Sequence, residues 1–409
     1  MNSKTVVCFC CLLLCCSCTS HDVYPLFPST KLLDNPYGVC SHITRRGLDW
    51  ELRNKNFDIC NMVRAPYVRS DIDYYNPSTV KPSFYHKYDS VVNSLMKYNI
   101  NLLGIISPPW RSTAWKDSAN FHHYVYDFAR RYGDNVHYWE FLNEINLTNK
   151  DHDILANRYT SSLKDCNEIL KKQCNKECKI LLSGLGELSD GFLKEICEKG
   201  AYKYFDIMNF HSYKKPEDLP KYFRYIKFCM DSYGWSKPVW ITEAGMHTAN
   251  IGNGNLSLEE EQAKRVARLF LISFAYGADK VFWYNLRSFE NKADNPEDHF
   301  GIIHKDFTPK PAFYAYKTLT KLCPSGSTRP NLHVYGNLYV SQWKTPKGNR
   351  VWAIWNLNGK KEILFKTKGI CQLFNHLGEI VYPTSSNSLV VNSGVTYIVG
   401  DRNFKILDL

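Results

Sequence analysis

The sequence lacks the features that mark several large classes of protein. The apolar run at 6–14 is too short to cross a bilayer and has only the length of a signal-peptide core. No glycine-rich phosphate loop follows any predicted strand, and the net charge of +11 is spread along the chain rather than gathered in one basic block. These absences exclude a nucleotide site of the P-loop or dinucleotide-binding kind, and the sequence gives no sign of a nucleic-acid partner.

Cysteine is plentiful but is not arranged as a disulfide framework. Of 15 cysteines, six lie in the first 18 residues, which leaves nine at irregular spacings. Cys174 and Cys178 are one helical turn apart, but no histidine cluster or second cysteine pair completes a zinc site. We expect buried free thiols, with one or two bridges as the alternative, and no bound metal.

The first 18 residues are predicted to be a lipoprotein-type signal peptide. Lys4 precedes the apolar run, which ends in the sequence CCSC at 15–18. A small residue followed by cysteine resembles a bacterial lipoprotein cleavage site, which implies a lipid on Cys18. Cys16 is a second candidate, because Cys15 stands where a leucine is usual, and an ordinary secretory signal is the other alternative. The predicted location is therefore outside the cytoplasm, with a lipid anchor in a bacterial envelope membrane as the only membrane contact.

Alternating patterns predict a large barrel domain. Residues 19–36, with three prolines among polar neighbours, are predicted to be a linker. From there, β-rich runs alternate with amphipathic helical segments, which is typical of a parallel sheet built from βαβ units. Eight such runs predict a (β/α)₈ TIM barrel over 37–322, with an open doubly wound sheet as the weaker alternative. The predicted strands are 37–42, 67–73, 101–107, 137–143, 180–184, 205–213, 238–243 and 280–285, and the clearest helices are 88–98, 121–132, 157–170 and 259–276.

The pattern changes after residue 323. Short strands separated by turns such as Asn358-Gly359 replace the alternation. We expect a small β-sandwich accessory domain over 328–409. Its predicted strands are 338–343, 351–357, 363–366, 371–376, 389–392 and 396–400.

Two glutamates end predicted barrel strands. Glu144 closes the run WEFLNE at 139–144, and Glu243 lies in VWITEAG at 239–245. Glycoside hydrolysis needs two carboxyl groups that flank one bond, one protonated and one ionised. In a barrel, such groups come from the carboxyl ends of different strands. An apolar strand seldom ends in an unpaired charge, so a functional role is favoured over two surface glutamates.

These two strand ends resemble clan A of the glycoside hydrolases. The run WEFLNEIN at 139–146 is most similar to family 39, which includes β-xylosidases and iduronidases, or to the neighbouring family 5. Ile145 stands where family 39 usually has proline, which leaves the choice of family open. The resemblance implies a retaining β-glycosidase that hydrolyses an oligo- or polysaccharide by double displacement. Glu144 would be the general acid/base and Glu243 the nucleophile, with no cofactor.

The resemblance also implies roles for residues around the two glutamates. Arg69 ends the second strand and matches the clan arginine that pairs with the nucleophile, with Arg64 as the alternative. Asn143 would bind the sugar 2-hydroxyl. His211 and Tyr213 alternate along the sixth strand, so both should point the same way, although a lone strand histidine can also be a core residue.

Two tryptophans are candidate platforms for a sugar ring. Trp283 ends the eighth strand and matches the stacking residue of the clan. Trp110 lies on the loop after the third strand and could line a further subsite or fold into the core.

A second function remains open at this point. The aromatic content of 14% and the predicted anchor also suit a non-catalytic carbohydrate-binding surface lipoprotein. That alternative does not account for two glutamates at strand ends. Carbohydrate is the predicted partner in both cases, and the sequence leaves the sugar and the oligomeric state undetermined.

Overall fold

The structure is a computed structural model of the 409-residue chain. It describes residues 21–23, 26, 29–45, 47–75, 79–108, 112, 114–148, 152–174, 177–188, 191–249, 257–366, 371–385, 387–400 and 404–407. Two candidates from the sequence, Cys18 and Trp110, lie outside these ranges and stay predictions.

Parallel strands form the predicted barrel. Nine strand segments make one curled sheet in which neighbours pair in chain order, and the fifth barrel strand consists of two of these segments. Bridges between Asn143 and Gly184 and between Leu181 and Ile207 join both sides of that broken strand to its neighbours. The eight barrel strands are Tyr37–Cys40, Tyr67–Asp73, Asn101–Ser107, Tyr138–Phe141, Lys179–Leu181 with Leu185–Gly186, Met208–Ser212, Val239–Ala244 and Lys280–Trp283.

Helices alternate with the barrel strands and cover the sheet, because their apolar residues recur at three- and four-residue spacing. Pro82 and Pro311 each begin a helix, where a missing backbone N–H costs nothing. Asp117 caps another by accepting a hydrogen bond from the Asn120 backbone N–H. The α-helices are Arg53–Met62, Pro82–Tyr98, Ser118–Tyr132, His152–Gln173, Phe192–Glu198, Leu219–Tyr233, Ser257–Tyr276 and Pro311–Leu322.

The barrel interior is layered. An apolar layer fills its lower part and includes Tyr67, Leu103, Trp240 and Phe282. Above it, alternate residues of the strands point inward and become polar. Along the second strand, for example, Tyr67 lies in the apolar layer, whereas Arg69 lines the cavity above it. The polar groups that line the cavity thus lie at the end of the barrel where the strands finish.

Antiparallel sheets follow the barrel, and a separate apolar cluster lies among their strands. Two of these strands, Asn331–Tyr335 and Lys405–Ile406, were not predicted. The six predicted strands are present with shifted ends. The strands are Asn331–Tyr335, Leu338–Lys344, Arg350–Asn356, Lys361–Lys366, Gln372–Phe374, Ser388–Val391, Thr396–Gly400 and Lys405–Ile406.

The described part of segment 19–36 packs on the folded chain, although its sequence indicates a linker. His21–Val23 pairs antiparallel with Asn331–Tyr335. Leu32 is buried, and its backbone N–H donates to the Ser327 carbonyl at 2.9 Å. Strand pairing and burial therefore tie this segment to the start of the C-terminal region.

The nine cysteines from Cys40 to Cys371 are free thiols in the structure, eight of them buried. None of the described helices has the length and hydropathy needed to cross a membrane.

Candidate active site

The fourth barrel strand ends in an unusual backbone turn that sets the position of Glu144. The strand finishes at Phe141, and Leu142 and Glu144 both have positive φ angles, 64° and 45°. Such angles are uncommon for residues with a side chain and are concentrated at functional sites. The Glu144 backbone N–H donates to the Gly184 carbonyl at 3.1 Å, which holds the turn against the fifth strand.

Arg69 links three acidic or amide side chains at the top of the barrel. Its guanidinium makes a bidentate pair with Glu140, through Nε and Nη2 at 2.7 Å each. Nη2 also donates to Asn143 Oδ1 at 2.8 Å, and Nη1 pairs with Glu243 Oε1. Arg69 and Glu140 are almost completely buried. Burial opposes the charge of Arg69, but the two carboxylates raise its pKa above the ordinary value.

Glu243 is surrounded by groups that favour its ionised form. Its Oε1 accepts from Arg69, and its Oε2 accepts from the Tyr213 hydroxyl at 2.6 Å. Burial opposes ionisation, but His211, Arg69 and the Tyr213 hydrogen bond hold the pKa of Glu243 below its usual value. Burial first, and then the same carboxylate, raises the pKa of Tyr213 well above the ordinary value, so that Tyr213 remains a donor.

Glu144 has a different environment. Its Oε1 lies 3.0 Å from His211 Nδ1, and its side chain is 20% exposed toward the cavity. His211 is buried beneath it, with Nε2 at 3.0 Å from the Thr242 hydroxyl. His211 and Tyr213 therefore point the same way, and His211 reaches both glutamates, since its Nδ1 is 3.6 Å from Glu243 Oε2.

Glu144, His211 and Glu243 each offer one atom that could bind a metal, and these three atoms lie within 4.8 Å of one another. The atoms already have other partners. His211 Nδ1 faces Glu144, while Arg69 and Tyr213 occupy the oxygens of Glu243. The guanidinium charge would also repel a cation, so hydrogen bonding explains the cluster and we assign no metal to it.

A cavity of about 290 Å³ opens above these side chains. Tyr284 and Glu297, from the chain after the eighth strand, form part of its wall, and the Tyr284 hydroxyl donates to Glu297 at 3.1 Å. Asp71 lies in the wall and pairs with Arg45 at 2.7 Å and His42 at 3.5 Å. The cavity is lined by Cys40, His42, Arg45, Arg69, Ser70, Asp71, Ile105, Asn143, Glu144, Tyr213, Glu243, Tyr284, Glu297 and Phe300.

A larger groove of about 600 Å³ lies between the last barrel helix and the C-terminal strands. Of the described residues, its lining includes the cations Arg64, Lys321 and Lys347 but no carboxylate. Acid–base chemistry between paired carboxyl groups therefore has no support there. The smaller cavity is the candidate active site because Glu144 and Glu243 line it together. Arg64 belongs to this groove, which leaves Arg69 as the arginine beside Glu243.

The structure corrects the expectation for Trp283. Its indole is completely buried, and Nε1 donates to the Phe300 carbonyl at 3.3 Å. It therefore packs among core residues and cannot stack on a sugar in this structure. The next residue, Tyr284, does line the cavity, together with Tyr213 and Phe300.

Three contributors to the site, Glu140, Tyr284 and Glu297, were not singled out from the sequence. Glu140 had a usable signal, because it is the single charged residue in the strand Tyr138–Phe141 and a buried charge requires a partner. The sequence contains no comparable signal for Tyr284 and Glu297, because their positions depend on the path of a loop.

No family model and no curated protein matches the chain. Solved structures do match it. A family 39 glycoside hydrolase from Bacteroides cellulosilyticus is 20% identical, with a TM-score of 0.72 over 92% of this chain and 81% of that one. The chain has the fold of clan A glycoside hydrolases.

Two further structures support the same fold. A glucosidase from Croceicoccus marinus is 14% identical, with a TM-score of 0.63 over 90% of this chain and 97% of that one. A monomeric β-xylosidase from Caulobacter crescentus is 10% identical, with a TM-score of 0.59 over 89% and 95%. Both the barrel and the C-terminal strands thus belong to an arrangement that these hydrolases share.

Proposed function

We propose that the chain is a retaining β-glycosidase, with Glu144 as general acid/base and Glu243 as nucleophile. The observation that carries the proposal is the close approach of the two side chains, whose facing atoms lie within 4.8 Å at the base of the cavity. Retaining glycosidases hold their two carboxyl groups about 5–5.5 Å apart, whereas inverting enzymes need about 6.5–9.5 Å to admit a water between them.

The two glutamates suit two successive displacements. In the first, ionised Glu243 attacks the anomeric carbon and forms a glycosyl ester. The glycosidic C–O bond breaks as Glu144 gives its proton to the leaving oxygen. In the second, Glu144 takes a proton from water, the water oxygen attacks the anomeric carbon, and Glu243 leaves as a carboxylate. Asn143 lies beside Arg69, where its amide can bind a sugar hydroxyl. These steps need no cofactor.

The cavity wall favours a neutral sugar. Asp71 and Glu297 add two carboxyl groups to those of the catalytic pair, and both lining arginines are already paired with carboxylates. Among the residues that the structure describes, this wall offers many acceptors for sugar hydroxyls and no cation without a carboxylate partner for a uronic acid. The names of two structural neighbours, a glucosidase and a β-xylosidase, agree with this choice. The small volume favours a short substrate or exo action.

The N-terminal prediction remains part of this proposal. We retain export with a lipid on Cys18, because the resemblance of CCSC to a lipoprotein cleavage site supports it. Labelling cells with a clickable palmitate should mark the wild-type chain and leave Cys18→Ala unmarked. Labelling of Cys18→Ala would show that another residue carries the lipid.

Glu243→Gln tests the proposed chemistry. The variant should fold normally and show no turnover of aryl β-xylosides, galactosides or glucosides, since the amide cannot form the glycosyl ester. Glu144→Gln should slow phenyl glycosides by about 10²–10⁴-fold. Glu362→Gln, an exposed change in the C-terminal strands, is the matched control and should retain activity.

A 2-fluoro sugar with a good leaving group separates the enzyme from the carbohydrate-binding alternative. In an enzyme it should add one fluorosugar mass to the peptide that contains Glu243 and not to the Glu243→Gln variant. A protein that binds sugars but is labelled by none of the 2-fluoro derivatives of xylose, galactose and glucose would be a carbohydrate-binding protein. Normal activity of Glu243→Gln would remove that residue from the mechanism.

A further inference from the structure

A buried chain of hydrogen bonds runs beneath Glu144. His211 joins Glu144 Oε1 to the Thr242 hydroxyl through its two ring nitrogens, each at 3.0 Å. Thr242 Oγ1 in turn lies 2.7 Å from Asn209 Oδ1. Asn209 and Thr242 are both completely buried and do not line the cavity, so neither side chain is placed to contact a substrate.

The direction of each hydrogen bond in this series follows from Asn209, which lies at the end farthest from Glu144. Asn209 Nδ2 donates to the Leu182 carbonyl at 3.3 Å, which leaves Oδ1, an acceptor only, facing Thr242. The single hydroxyl hydrogen of Thr242 must then point at Asn209. Thr242 can offer His211 only a lone pair, so His211 Nε2 carries a hydrogen.

This direction determines what can lie between His211 Nδ1 and Glu144. If His211 is neutral, Nδ1 is an acceptor and Glu144 must hold the proton. If His211 is an imidazolium, Nδ1 donates to ionised Glu144. Both arrangements contain one proton on the line between the two atoms. Its loss would leave two lone pairs facing each other, or would require His211 and Thr242 to reverse their hydrogen bonds and leave Asn209 Oδ1 unpaired.

We infer that Asn209 and Thr242 are positioning residues that keep a proton on the Glu144–His211 pair, ready for the leaving group of the substrate. The inference rests on the proposed glycosidase activity and extends it to two residues that touch neither the substrate nor the two glutamates through their side-chain hydrogen bonds.

The charges around His211 also favour a proton on the Glu144–His211 pair. Burial and Arg69 disfavour a protonated ring, but Glu243 and Glu144 outweigh them and raise the pKa of His211. Glu140 Oε1 also lies 3.8 Å from Nε2, too far for a hydrogen bond but close enough to favour a cation. The ring fits here because residue 184 is glycine, since a Cβ would approach Nε2 to 2.0 Å.

Thr242→Val is a nearly isosteric test, because it replaces the hydroxyl by a methyl group. Without an acceptor for Nε2–H, the pair should lose its proton more easily. We expect the alkaline limb of kcat/KM for a phenyl glycoside to move down by about one pH unit, which is the effect of about one buried hydrogen bond. Thr242→Ser retains the hydroxyl and should restore the wild-type limb.

The leaving group of the substrate and a second threonine provide the controls. A dinitrophenyl glycoside needs little proton donation, so Thr242→Val should slow its cleavage much less than that of the phenyl glycoside. Thr160→Val changes a buried threonine on helix His152–Gln173 whose hydroxyl has no hydrogen-bond partner, and its pH profile should match the wild type.

The outcomes separate this inference from the proposed function. A wild-type protein that cleaves no glycoside contradicts the proposed function itself. An active wild type with an unchanged alkaline limb in Thr242→Val, or with equal losses on both substrates, would overturn the positioning role alone. Failure of Thr242→Ser to restore the limb would also overturn it.

Discussion

Glu140 takes no direct part in the proposed reaction, but it helps to keep Glu243, the proposed nucleophile, ionised. Its carboxylate is completely buried and accepts from Arg69 twice and from the Gly184 backbone N–H at 3.2 Å. These contacts fix the guanidinium, whose remaining nitrogen then reaches Glu243. The ionisation of the proposed nucleophile, in the seventh barrel strand, thus depends on a carboxylate in the fourth.

Glu140→Gln should therefore lower both stability and activity. The buried guanidinium would lose a charged partner, which costs about 3 kcal/mol when one member of such a pair is removed. Urea unfolding measures the loss, and kcat/KM for an aryl glycoside should fall with it. Glu177→Gln removes an exposed partner of Lys179 and should change little. Equal stability of wild type and Glu140→Gln would show that Glu140 is dispensable for holding Arg69.

Single residues also show how far sequence reasoning reaches. Glu144, Glu243 and Arg69 could be placed together because the carboxyl ends of barrel strands meet at one face. Trp283 could not be placed correctly, because the face on which a residue lies at the end of a strand depends on where the chain leaves the sheet. The change from Trp283 to Tyr284 is a shift of one position, and it reverses which ring meets the cavity.

The fifth barrel strand is the element that most affects the site. It is interrupted between Leu181 and Leu185, and the gap contains Gly184. This glycine lets His211 approach the backbone, receives the Glu144 turn through its carbonyl, and donates its N–H to Glu140. The break in the strand therefore brings the sixth strand and the Glu144 turn together.

Gly184→Ala should displace His211, since the new Cβ would lie 2.0 Å from Nε2. We expect a stability loss of about 1–3 kcal/mol from overpacking and a clear fall in activity on phenyl glycosides. Gly104→Ala is the matched control, because its Cβ would meet Ile72 Cδ1 at 2.6 Å, away from the cavity. It should lower the melting temperature with little effect on kcat. Full activity of Gly184→Ala would mean that the ring can shift without consequence.

The pattern of elements was largely predictable, but their interruptions were not. Apolar periodicity indicated every barrel strand, because buried parallel strands are apolar throughout. The break in the fifth strand has no counterpart in that pattern, since Gly184 hydrogen-bonds to the Glu140 carboxylate and the Glu144 backbone N–H, contacts that the local sequence does not show. Asn331–Tyr335 was missed although it forms a hairpin with the predicted strand that follows it. Its other partner, His21–Val23, lies more than 300 residues away in a segment whose prolines indicated a linker.

At the scale of the whole molecule, the barrel and the C-terminal strands meet through charged and titratable groups. Arg268, on helix Ser257–Tyr276, donates to the Ser393 carbonyl at 3.2 Å. His376 is buried nearby, where burial first, and then Lys264 and Arg268, lower its pKa to about 4 against the opposing effect of Glu260 and Glu379.

This histidine predicts that stability falls in mild acid. The unfolded chain binds a proton at His376 near pH 6.5, whereas the folded chain does so only near pH 4, so its contribution is complete above pH 6.5 and is lost as the pH falls between these values. The full effect is about 3 kcal/mol. Urea unfolding from pH 7 to pH 4 should show a shallower dependence in His376→Gln than in wild type. Identical slopes would contradict the prediction.

The pairing of His21–Val23 with the C-terminal strands has a consequence for where the proposed enzyme could work. If Cys18 carries a lipid, only Thr19 and Ser20 separate it from His21, and a chain can reach at most about 10 Å over that distance. The folded protein would then lie against the bilayer rather than be held away from it by a long flexible linker. It would serve glycans delivered to the membrane surface, and its range would be set by lateral diffusion of the lipid.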